Sequence, residues 1–147
     1  MRAPNPGTRG TARSAGRGEP GDPVLASKVT MPELPDWAVT RPRIDMLLAE
    51  GARGPLTSVT GPPGAGKTMA VAAWAASTSY PCHLAWITID DYDNRPRVFW
   101  SYVVVALRRA GIAVRRVAPE PGRVAVDHAF LVRLASVLAA QDPPVVL

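Results

Sequence analysis

The chain has 147 residues and a mass of 15.6 kDa, with 47% hydrophobic residues, 20% charged residues and a formal net charge of +5. That size allows one ordinary domain with a core of its own. A lone cysteine, Cys82, excludes a disulfide scaffold, and beside two His it leaves too few ligands for a Cys/His zinc centre. No run approaches the ~18–20 apolar residues of a membrane-crossing helix, so a membrane partner is not expected.

The cations are biased, 15 Arg against Lys28 and Lys67. They are spread along the chain, with Arg108–Arg109 and Arg115–Arg116 the only adjacent pairs. A nucleic-acid patch would concentrate them in a short run, so the positive charge reads as composition. Residues 1–23 hold five Gly, four Pro and four Arg and almost no large apolar side chain. Burial cannot offset the ordering entropy of such a segment, and a disordered tail is expected there, with the folded unit over 24–147.

Past the tail, Thr40-Arg41-Pro42 reads as a helix entry, a capping hydroxyl followed by Pro in the first turn. Ile44, Leu47 and Leu48 follow at helical spacing, and Gly51 stops the helix. Residues 56–60 read as a short buried strand, 61–66 as a glycine-rich turn, and 67 to about 77 as a helix packing through Val71, Ala72, Trp74 and Ala75. A second strand is expected over 83–89, with Leu84, Trp86 and Ile89 facing the core. Pro96 opens a helix whose apolar face is Phe99, Tyr102, Val103, Ala106, Leu107 and Ala110, and Gly111 ends it. Residues 113–126 read as a loop. Asp127 caps a last helix with Phe130, Leu131, Leu134, Val137 and Leu138 on one face, and Asp142-Pro143-Pro144 leads into a strand at Val145-Val146-Leu147. The order strand–helix–strand–helix–helix–strand predicts an α/β protein with a mostly parallel sheet.

Gly61-Pro62-Pro63-Gly64-Ala65-Gly66-Lys67-Thr68 fits G-x-x-x-x-G-K-[ST], the P-loop or Walker A pattern. Glycines let the backbone curl until successive N–H groups point into one concavity, which wraps a phosphate. The helix behind adds its free N–H groups and the positive end of its dipole. Lys67 reaches the β- and γ-phosphates, and the Thr68 hydroxyl is the expected contact to Mg²⁺. With Met69, these eight residues are the candidate phosphate contacts, and ATP with Mg²⁺ is the expected ligand. The acidic group Asp90, Asp91 and Asp93 fits either a hard-cation site or a solvated, capped turn. His83, His128 and Cys82 read as ordinary surface or core residues.

Three blocks taken together resemble the N-terminal part of the large ATP-binding LuxR-type transcriptional regulators. That family belongs to the STAND branch of the AAA+-like (ASCE) P-loop NTPases, with the maltose-regulon activator as its type. The blocks are Ser27-Lys28-Val29 with Pro32 and the stretch from Val39 to Ile44; the P-loop with Trp74 behind it; and Trp86-Ile87-Thr88-Ile89-Asp90 with Asp93-Asn94 and Phe99. The resemblance implies that Val39 and Arg41 lie on the adenine and ribose side of the nucleotide. It implies a cytoplasmic protein in which ATP acts as a switch ligand for self-association and a C-terminal helix-turn-helix contacts DNA. It also implies that the strand at 145–147 runs on into the Walker B carboxylates, which this sequence does not include. The fold expected is therefore an incomplete P-loop NTPase sheet with flanking helices, cut before Walker B, and ATP hydrolysis by this chain alone is not expected. In the sheet order typical of such proteins the P-loop strand does not touch the second strand, which leaves it with unpaired edges here. Two other readings stay open: a small P-loop phosphotransferase, for which Asp90 and the arginines of 108–123 are the available catalytic groups, and a truncated fragment without nucleotide affinity.

Overall fold

The computed structural model describes residues 24–77, 81–118 and 126–147. The tail expected over 1–23 lies outside the described residues. Among the described residues four helices carry the structure: α1 (Pro42–Gly51), α2 (Lys67–Ser77), α3 (Pro96–Arg109) and α4 (His128–Ala139). Two short strands, β1 (His83–Leu84) and β2 (Val145–Val146), pair in parallel, with His83 opposite Val145 and Leu84 opposite Val146. The amides of His83 and Ala85 donate to the carbonyls of Pro144 and Val146, each at 2.8 Å. Short 3-10 turns lie at Ala26–Val29, Asp91–Asn94 and Val114–Arg116.

Helix α3 is the centre of the core. Tyr102, Val103, Val104, Ala106 and Leu107 are buried on it, so its apolar face is wider than the spacing of the aromatic and aliphatic residues alone suggests. Pro96 sits in its first turn, where a missing N–H costs nothing. Phe130 and Leu134 of α4 pack into the same cluster, and Trp100 meets the Phe99 and Phe130 rings edge-on at 5.3 and 5.5 Å between centroids. The Asp127 carboxylate caps α4 by accepting from the Phe130 amide at 2.6 Å. Val29 closes the cluster from the N-terminal side.

Several expectations are corrected. Residues 56–60 are not a buried strand; every one is exposed, and Leu56 is 86% exposed. A strand exists only in a hydrogen-bonded pair, and the described residues form one pair, β1 with β2. The second strand is confined to His83–Leu84 rather than running to Ile89. Along this stretch the residues that join the core cluster are Ala85 and Ile87, not Leu84 and Trp86, because extended chain alternates faces. Ile89 is exposed, as are Leu47 of α1 and Leu131 of α4. The helix entry at α1 has Arg41, not Thr40, at the N-cap, and no side chain caps it. The expected loop over 113–126 contributes buried Val114, Val117 and Ala118 to the core beside Ile112, while 119–125 lie outside the described residues.

Leu84 and Trp86 instead line a cleft of about 350 Å³ between two parts of the fold. One wall is α1, α2 and residues 54–59; the other is the β1–β2 pair. Trp74 of α2 reaches this cleft, and among the described residues its buried indole N–H has no acceptor.

The contrast between the two leucines is measurable by urea denaturation. Leu107→Ala, at a fully buried site, is expected to cost roughly 2–5 kcal/mol. Leu56→Ala is expected to stay within about 0.5 kcal/mol of wild type; a comparable loss at Leu56 would contradict its exposure.

Candidate phosphate-binding loop

The loop over 61–66 runs directly into the first turn of α2, which begins at Lys67. Gly64 and Gly66 have φ of +78° and +77°, the left-handed region that only glycine enters freely. A side chain at Gly64 would meet no atom within 4 Å, so glycine there serves the backbone conformation rather than close packing. The Ala65 amide donates to the Pro62 carbonyl at 3.2 Å and closes the turn. Gly61, Pro62, Pro63 and Gly64 are exposed, and Ala65, Gly66 and Lys67 are half-buried.

The Ala70 amide donates to the Gly66 carbonyl, the first bond of the helix ladder. The amides of Lys67, Thr68 and Met69 are thus those that an α-helix leaves without an acceptor of its own. Thr68 is exposed at this end. The Lys67 ammonium donates to the Gly61 and Pro62 carbonyls at 2.9 and 3.0 Å. It lies across the mouth of the loop, held by neutral acceptors.

Of the two residues assigned to the base side, Arg41 reaches the loop. Its guanidinium donates to the Ala65 carbonyl at 3.3 Å, and its other terminal nitrogen lies 3.7 Å from where a Cβ on Gly66 would stand. Val39, two residues earlier, is 74% exposed, and Trp37 beside it is 79% exposed. They are apolar surface on the segment that leads into Arg41.

The acidic group is not a solvated turn throughout. The Asp93 side chain is 3% exposed and takes the Lys28 ammonium on both oxygens, at 2.8 and 2.7 Å. Asp90 contributes a second carboxylate to Lys28 at 2.9 Å and caps the turn by accepting from the Tyr92 amide, while Asp93 accepts from the Asp90 amide. Lys28 also lies 5.2 Å from the centre of the Tyr102 ring. The carboxylates are satisfied by an ammonium, and no group of three His, Cys, Asp or Glu placed to hold a metal ion occurs among the described residues. This cluster escapes sequence reasoning because its partners are 65 residues apart. The one available signal is that Lys28 is the only lysine besides Lys67.

Burial alone would push the Asp93 carboxyl up; the Lys28 hydrogen bond and the Asp90 amide outweigh it and hold the group below its ordinary 3.8. The hydrogen bond to Asp93 is the main cause that raises Lys28 above 10.5, against the opposing effect of burial. Burial pushes the Cys82 thiol up.

Two relatives bear on this geometry. Over 87 residues the chain is 40% identical to the "HTH-type transcriptional regulator MalT" of Serratia proteamaculans (strain 568). It is 32% identical over 87 residues to the protein of that name from Cronobacter sakazakii (strain ATCC BAA-894). The chain is a partial relative of MalT. Each match takes in 59% of this chain and 9% of the relative, so the chain spans a small part of the curated proteins it matches. No protein-family model matches the chain, and no solved structure matches it. Among the described residues no helix is long and apolar enough to cross a membrane.

The ion pair sets a pH window. Asp93 is depressed in the folded state, so its contribution is present above pH 3.8 and is lost as pH falls through its folded value. Lys28 is raised, so its contribution is complete below pH 10.5 and is lost as pH rises through its folded value. The stability difference between wild type and Lys28→Met, followed by denaturant titration, is expected to be flat between these limits and to shrink outside both. A difference that varied steadily across neutral pH would contradict the pairing.

Proposed function

We propose that the chain binds ATP with Mg²⁺ through the loop over 61–66 and the first turn of α2. We propose further that it does so as part of an ATP-responsive, HTH-type transcriptional regulator. The observation that carries the reading is the Lys67 ammonium held by two neutral carbonyls at the mouth of a left-handed glycine turn that opens a helix. A charged phosphate oxygen is a stronger acceptor than either carbonyl, so an incoming phosphate would draw Lys67 from Gly61 and Pro62. The free amides of the first turn of α2 would then share the remaining negative charge. Mg²⁺ would be met by the exposed Thr68 hydroxyl and would balance charge between the phosphates.

The similarity to MalT supports the regulatory half of the proposal. In this reading nucleotide occupancy is the switch, self-association is its output, and DNA contact belongs to an HTH element of the kind that the relatives' name specifies. The exposed Val39 and the docked Arg41 form the base side of the site.

Thermal unfolding with and without Mg-ATP tests the binding. A single ligand at ~100 times its dissociation constant adds about 2.7 kcal/mol to stability. Wild type is expected to gain a stabilisation of that order, and Lys67→Ala to gain none. Equal shifts in the two proteins, or no shift at millimolar Mg-ATP, would overturn the proposal.

A further inference from the structure

Residues 56–60 run without helix, turn or bend, and every one is exposed. None of their backbone N–H or C=O groups has a partner among the described residues. The segment therefore has the course of a strand and lacks a ladder. Across the cleft stands a second open edge. Among the described residues β2 is paired on one side only, by β1. The Pro144 and Val146 carbonyls face β1, where they accept from the His83 and Ala85 amides. Peptide groups alternate in direction along a strand, so those of Val145 point to the other side.

Both edges line the same cleft, with Leu56, Thr57 and Val59 on one wall and Val145, Val146 and Leu147 on the other. No charged side chain lines it. The side-chain charges behind the net +5, which set two copies against each other, therefore lie elsewhere. An open edge is a template for any extended segment with free backbone groups. Each copy of this chain carries both, the edge on β2 and the free segment over 56–60. In a two-fold pair the two exchanges are one contact made twice, and the contact closes on itself. A strand added to β2 also continues the β1–β2 ladder already in the fold.

We infer that this cleft is an interface for a second copy of the chain: residues 56–60 of each copy add to the outer edge of β2 in the other. The segment that the sequence marks as a strand becomes one there. The inference goes beyond the nucleotide reading, since neither the loop over 61–66 nor Lys67 lines the cleft. So short an edge makes a small interface and a weak dimer. At the low micromolar concentrations of a denaturant titration the chain is a monomer, with Leu56 exposed.

Light scattering coupled to size exclusion, from low to high micromolar protein and paired with thermal unfolding of each variant, tests this. Wild type is expected to pass from monomer to dimer over that range, with or without Mg-ATP. Amide exchange over 56–60 is expected to slow as the dimer forms. Ser58→Pro removes a ladder N–H at a position that has no bond to lose in the monomer, and is expected to stay monomeric throughout. Should it lack a cooperative transition, Thr57→Lys replaces it, with a charge on the edge and the same expectation. A monomer at every concentration, a dimer that these variants leave intact, unchanged exchange over 56–60, or growth into open-ended oligomers would each overturn the inference. A dimer that forms only with Mg-ATP and is lost in Lys67→Ala would overturn it too, and would assign self-association to the nucleotide switch.

Discussion

An ammonium group taken out of water between two carboxylates fixes how the N-terminal part of this chain meets the rest. Lys28 and Asp93 are both largely withdrawn from solvent, and each would be costly there without the other. Their pairing draws Val29 onto α3, so that an apolar residue closes the cluster built by Tyr102, Val103 and Leu107. Tyr102 serves both sides, lending its ring face to the ammonium and its hydroxyl to the Leu25 amide. Charge pairing and apolar burial are therefore not separate contributions at this junction, because the same turn supplies Val29 to one and Lys28 to the other.

The loop over 61–66 works by a different principle. Its acceptors and donors belong to the backbone, which makes its chemistry insensitive to side-chain identity except at the glycines and Lys67. Left-handed Gly64 and Gly66 curl the chain, α2 supplies an unfilled row of amides, and Lys67 is parked on two carbonyls. On the proposed reading this arrangement receives the anion. Beside it, the cleft between α2 and the β1–β2 pair is lined by uncharged residues, and the buried Trp74 indole N–H has no acceptor among the described residues. Unlike the loop, that region holds no charged side chain in its lining.

What was legible in the sequence follows from how local each signal is. The starts of α1, α3 and α4 were readable because Pro42, Pro96 and Asp127 act within a turn of themselves. The loop and the start of α2 were readable because the phosphate pattern specifies them residue by residue. Residues 56–60 read as a buried strand because they carry Leu56 and Val59 ahead of a glycine-rich turn, yet a strand forms only if a neighbour accepts its hydrogen bonds. The core face of this stretch is not legible from residue size, because Ala85 and Ile87 join the core cluster while Leu84 and Trp86 line the cleft without joining it. At the candidate site, the resemblance puts Arg41 on the base side, and its contact with the Ala65 carbonyl of the loop comes from the structure alone. The Lys28 cluster was invisible because an ion pair across so long a stretch leaves no periodicity and no spacing to find.

Amide hydrogen exchange across residues 61–70, with and without saturating Mg-ATP, tests the central claim most directly. The account predicts that the amides of Gly64, Ala65, Gly66, Lys67, Thr68 and Met69 slow markedly when Mg-ATP is present, and that Lys67→Ala removes most of this protection. Unchanged exchange at these amides under saturating Mg-ATP, with wild type folded, would contradict it.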